Sequence, residues 1–187
     1  VTVDLAIKYK QRILDNIPDK SSWSPLMVLF LTDLTSPEEI YKAHDSKVIF
    51  GAKLYPAGAT TNSETGVTDL KNLTKTFEAM EEVGMVLQIH GESTEKGIDI
   101  FDRESVFIEK TLKPLVEKFP ELKISLEHIT TLDSVEYIMN QSDTVYGSIT
   151  PQHLLFNRND MLVGGIRPHL FCLPILKRER HQQSLIK

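Results

Sequence analysis

Apolar residues along this chain follow two rhythms. Five short, mostly apolar runs carry the β-branched and aromatic residues of buried strands: "PLMVLFLT" (25–32), "KVIFGAKLY" (47–55), "GMVLQIH" (84–90), "LKISLEH" (122–128) and "TVYGSIT" (144–150). Between them the spacing turns helical. Val3, Ile7, Leu14 and Ile17 form a stripe over 3–17, with Lys8, Lys10, Gln11 and Arg12 mostly opposite. Leu70, Leu73, Phe77 and Met80 do the same over 69–83, and 99–118 reads as a helix that Pro114 should kink. Ser36-Pro37-Glu38-Glu39 and Thr131-x-Asp133 are helix-start signals, placing a small hydroxyl before the first turn and acids within it.

Strands that alternate with helices predict βαβ units and a parallel sheet. Two architectures fit: an open doubly wound sheet, or part of a (β/α)₈ barrel. No glycine-rich phosphate loop follows any strand, and "MLVGGIRPH" lacks the spacing of one, which weakens the nucleotide-binding open sheet. The polar residues favour the barrel. Lys53, His90 and His128 fall at the carboxyl ends of three successive strands, and in a parallel barrel those ends share one mouth. Alternation pairs Gln88 with His90 on one face, and Leu126 with His128.

A strand-end histidine by itself reads as a satisfied core residue; two on adjacent strands beside a misplaced lysine read as a metal site. Lysine is cationic at its ordinary pKa of about 10.4. Burial beside metal ions would favour the neutral amine, which can react with carbon dioxide to give a carbamate, a two-oxygen anionic ligand. Lys53 is therefore expected to be carboxylated and metal-bridging. The competing reading is a snorkelling lysine that reaches a substrate phosphate. Thr60, Thr61 and Asn62 offer small hydrogen-bonding groups on a loop at the same end. His153 is expected to orient or support rather than ligate, and His44 to be exposed. His169 and His181 have no evident partner.

The totals exclude other classes. The 187 residues, 41% hydrophobic and 25% charged with a net charge of −5, predict one soluble domain over 1–187 and give no basic surface for nucleic acid or membrane. No apolar run is long enough to span a bilayer. The single cysteine, Cys172, forms no internal disulfide and reads as an apolar filler. With no initiating methionine, and a helical pattern still running at "PILKRERHQQSLIK", the chain reads as an internal fragment.

The blocks "KLYPAGATTNS", "HGE", "EHITT", "ITPQHLLFNRN" and "GGIRPHLFCLPILKR" resemble, in order and over the whole chain, the shorter single-function dihydroorotases of bacteria and plants, in the amidohydrolase superfamily. The resemblance implies an incomplete (β/α)₈ TIM barrel of the metal-dependent hydrolase type, about strands three to seven of eight. It implies a zinc-dependent cyclic amidohydrolase that converts N-carbamoyl-L-aspartate reversibly to L-dihydroorotate in pyrimidine biosynthesis. Two zinc ions per complete subunit are implied, with a carbon dioxide-derived carbamate on Lys53 bridging both and His90 and His128 on the second. His90, Thr60, Thr61 and Leu173 match substrate-binding positions. The family's His-x-His pair, substrate arginine and general-base aspartate have no counterparts among these residues. A small-molecule substrate, a homodimer when complete, and a cytoplasmic or, with a targeting segment, organellar location follow as expectations. So does inactivity and poor stability of the fragment alone. Two rivals remain open: a hydantoinase-like cyclic amidase, and a catalytically inactive dihydroorotase-like scaffold.

Overall fold

The computed structural model describes residues 2–18 and 22–187. All five predicted strands form: β1 (Met27–Phe30), β2 (Ile49–Leu54), β3 (Val86–His90), β4 (Ile124–Glu127) and β5 (Val145–Gly147). They make one sheet in the order β1-β2-β3-β4-β5, every pair parallel. A doubly wound sheet reverses its order at a switch point and carries helices on both faces. Here the order never reverses. Leu29, Ala52, Leu54, Leu87, Ile89, Ile124 and Leu126 pack with Ile40, Phe77 and Met80 into one core on the helix-bearing side. The alternate positions Val28 and Tyr146 are exposed on the other face. This is the arrangement of a barrel wall, with the helices outside.

The helices are α1 (Val3–Leu14), α2 (Pro37–Ser46), α3 (Thr74–Val83), α4 (Arg103–Phe107), α5 (Lys113–Lys118), α6 (Leu132–Met139), α7 (Pro151–Leu155), α8 (Arg158–Leu162) and α9 (Glu179–Ile186). In α6 the Thr131 side chain accepts the Ser134 N–H as the sequence predicts. Ser36 precedes α2 but makes no capping bond to it. The Leu73–Phe77–Met80 stripe is buried, and α3 stops at Gly84, whose φ of +67° suits a residue without a Cβ. Two details differ from expectation. Ile7 is exposed, because α1 ends at Leu14 and packs through Val3, Ala6 and Ile13, a face one position away. Pro114 does not kink a plain helix; a π-helical turn (Ile108–Leu112) joins α4 to α5 just before it, where the missing proline N–H would break the ladder.

A smaller core of Met161, Ile175 and Leu176 takes in Phe101, Leu170 and Leu173. His153 ties this region to α7. Its buried ring bonds Thr150 Oγ1 through Nδ1 at 2.5 Å and the Pro174 carbonyl through Nε2 at 2.9 Å. Both nitrogens are engaged, which is the supporting role expected of it. Among the described residues no helix is long and apolar enough to cross a membrane.

Candidate metal and substrate site

Register aligns Phe30, Lys53, Gln88, Ser125 and Tyr146 in one row across the sheet. His90 stands two residues beyond Gln88, level with Glu127. The alternation that puts Lys53 and His90 on the open face would turn His128 away with Leu126, into the helix-facing core. Leu126 does lie in that core. His128 does not share its face, which corrects the sequence expectation. It follows the end of β4, and its left-handed backbone (φ +44°) swings the ring back to the mouth. Histidine tolerates this region better than a β-branched residue does. The Ser148 hydroxyl, just beyond β5, accepts the His128 N–H at 2.9 Å and helps to hold the turn.

The two imidazoles thereby meet edge to face with centroids 4.8 Å apart, and His90 Nδ1 lies 3.2 Å from His128 Nε2. The other nitrogen of His90 bonds Glu92 Oε2 at 2.8 Å, where both residues are fully buried. A carboxylate behind an imidazole fixes its tautomer: the proton stays on Nε2 and the Nδ1 lone pair faces the mouth. Burial, aided by His90 and Lys53, pushes the His128 pKa down to about 3, so its ring is neutral at ordinary pH. Two imidazoles with converging nitrogens suit a cation such as zinc.

Lys53 is half-buried, its Nζ 5.1 Å from the Tyr55 ring centroid, and Tyr55 in turn lies 5.7 Å from the His90 ring. Burial brings the Lys53 pKa down to about 8, while Glu127 pulls it the other way. The free amine is thus accessible near neutral pH, as carbamate formation requires. Ser125 donates a hydrogen bond to Glu127, fixing that carboxylate on the same face. Among the described residues no cluster of three or more His, Cys, Asp or Glu side chains could hold a metal. The chain brings two imidazoles and a lysine to the carboxyl end of the sheet.

The other predicted residues lie apart from this group. Thr60 is held in a turn, its N–H on Ser63 Oγ at 3.0 Å, and Thr61 is exposed; among the described residues no hydrogen bond joins either to the ligand row. Leu173 packs in the smaller core. Burial raises the Cys172 thiol, which fits an inert filler. His181 has a partner the sequence did not reveal: its Nδ1 accepts the Leu132 N–H at 3.0 Å, joining α9 to α6. Tyr55, Glu92 and Glu127 also escaped the reading. Each lies within two residues of a ligand candidate, and that proximity was the available signal. A cavity of about 620 Å³ opens between α3 and the α4–α5 helix; of the residues around the ligand row only Glu92 borders it.

Comparison with family profiles gives no match. The dihydroorotase of Shewanella oneidensis is 59% identical over 186 residues, covering 100% of this chain and 54% of that protein. The crystal structure of dihydroorotase from Campylobacter jejuni superposes with a TM-score of 0.89 at 39% identity, over 99% of this chain and 53% of that one. Dihydroorotase from Saccharomyces cerevisiae, solved in complex with 5-fluoroorotic acid, gives 0.87 at 32% identity, over 100% of this chain and 54% of that one. The L-hydantoinase of Arthrobacter aurescens shares the fold at a TM-score of 0.75 with 18% identity, over 99% of this chain and 44% of that one. The chain spans about half the length of the relatives it matches. It is homologous throughout to that half of a dihydroorotase, and its five-stranded sheet is the corresponding part of an incomplete (β/α)₈ barrel of the metal-dependent hydrolase type.

Proposed function

We propose that this chain supplies one side of a two-zinc centre in a dihydroorotase, which interconverts N-carbamoyl-L-aspartate and L-dihydroorotate plus water in pyrimidine biosynthesis. The observation that carries the reading is the facing pair His90 Nδ1 and His128 Nε2, 3.2 Å apart, with Glu92 locking the first ring from behind. Lys53 stands on the same open face with its pKa drawn down to about 8, and as a carbamate it would bridge two cations. When bound, zinc would supply Lewis acidity toward the ring carbonyl and an activated water near neutral pH. His90 and His128 would hold the second ion, and Glu92 would keep the His90 lone pair aimed. Thr60 and Thr61 would fold over bound substrate, His90 would border it, and the Leu173 backbone would meet its ring. A proton-transfer aspartate and further ligands would have to come from elsewhere in such an enzyme. We place the enzyme in the cytoplasm as a homodimer.

Dihydroorotate hydrolysis by the full-length protein, beside its Lys53→Ala variant, tests the reading. Turnover in the parent and none in the variant supports it. Turnover of hydantoin in preference to dihydroorotate would move the assignment to a hydantoinase-like amidase. No turnover of either substrate with zinc supplied would favour the inactive scaffold.

A further inference from the structure

Glu104, on α4, is 2% exposed and has no lysine or arginine within salt-bridge distance among the described residues. A buried carboxylate so placed needs dense hydrogen bonding to be tolerated. It has it, and every donor comes from one short stretch, the loop after β4 and the first turn of α6. Thr130 N–H reaches both oxygens, at 2.9 and 3.0 Å, and Thr130 Oγ1 donates to Oε2 at 2.5 Å. Thr131 N–H and Oγ1 donate to Oε1 at 2.9 and 2.6 Å, and the Ser134 hydroxyl donates to the same oxygen. That loop begins two residues after His128, the residue in the left-handed conformation. Such a backbone costs free energy and persists only where its surroundings over-determine it. From the other side, buried Lys177 stands in the field of Glu104 and Glu92, its Nζ donating to the Ile175 carbonyl at 2.8 Å.

We infer that Glu104 is a positioning residue for the metal site: by gripping Thr130, Thr131 and Ser134 it holds His128 in the backbone conformation that turns its ring toward His90. The inference rests on the reading of His128 as a metal ligand. Glu104 touches neither metal nor substrate and acts only through the loop. Its hold is independent of Glu92, which acts on the other imidazole, so one buried carboxylate aims each ring.

The test is zinc affinity of the full-length enzyme, measured by chelator competition with thermal unfolding in parallel. Glu104→Gln keeps the shape of the side chain but presents an amide to donors that require an acceptor. Zinc binding should weaken by roughly 10-fold or more, the range seen when an outer partner of a ligand is removed. Thr130→Val deletes one hydroxyl, leaves the backbone donors, and should weaken zinc several-fold even if Glu104→Gln does not fold. Leu115→Ala, in the α5 core, should lower the unfolding temperature and leave zinc affinity unchanged. If the parent binds zinc and neither loop variant differs from it, or if Leu115→Ala weakens zinc equally, the positioning role is overturned. A parent that takes up no zinc overturns the metal reading together with the inference built on it.

Discussion

The two faces of the central sheet come from the same strands and obey opposite rules. Toward the helices, Leu29, Ala52, Leu54, Leu87, Ile89, Ile124 and Leu126 are apolar and fully buried, each touching residues from neighbouring elements. Toward the open face, the register row Phe30, Lys53, Gln88, Ser125 and Tyr146, with His90 and Glu127 above it, mixes charge, amide, hydroxyl and ring. A pleated strand lets one short stretch serve both ends, since neighbouring residues never share a face. Lys53 and Leu54 are adjacent in sequence, one a candidate ligand and the other core.

Substitutions on the two faces should therefore separate chemistry from stability. The largest effect is expected for Lys53→Ala: undetectable dihydroorotate turnover, while the metal-free variant unfolds at the same temperature as the metal-free parent, because only a half-buried ammonium is then removed. A lower melting temperature in that variant would show that the open face also carries the fold. Leu126→Ala should do the reverse, costing about 2–5 kcal/mol in denaturant unfolding through the cavity left behind. The protein that remains folded should bind zinc as the parent does.

Acid should act on the histidines packed into the structure. Burial lowers the pKa of His128, His153 and His181 in the folded chain. As pH falls below the unfolded value of about 6.5, the unfolded chain takes up protons that the folded chain refuses, so stability declines with falling pH. Denaturant midpoints between pH 7.5 and 5.5 would record this, and His153→Gln should flatten part of the slope. A flat profile in the parent would contradict it. The smallest effect is expected for Glu127→Gln. Without that carboxylate the Lys53 pKa should drop below its value of about 8, a shift that NMR of labelled lysine can follow.

The core face was legible in the sequence because burial leaves a repeating trace. Leu73, Phe77 and Met80 fell where their spacing put them, as did all five strands. The open face was legible only where a residue type was out of place, as with Lys53, or recurred at equivalent strand ends, as with His90 and His128. The orientation of His128 was not, since alternation predicts the opposite face and a single backbone torsion overrides it. Glu104 was invisible for another reason. On a helix start, with Asp102 and Arg103 beside it, it reads as one more solvated acid, and only the meeting of α4 with the 130–134 loop shows that it is buried.

The unbroken strand order has a bearing on how the molecule is made. Each strand pairs with the one synthesised just before it, so the sheet can grow during translation one βα unit at a time, without waiting for distant partners. Lys53 lies on β2, His90 on β3, and His128 directly follows β4. The three groups proposed to hold metal are therefore brought level by two successive pairing steps, β2 with β3 and β3 with β4.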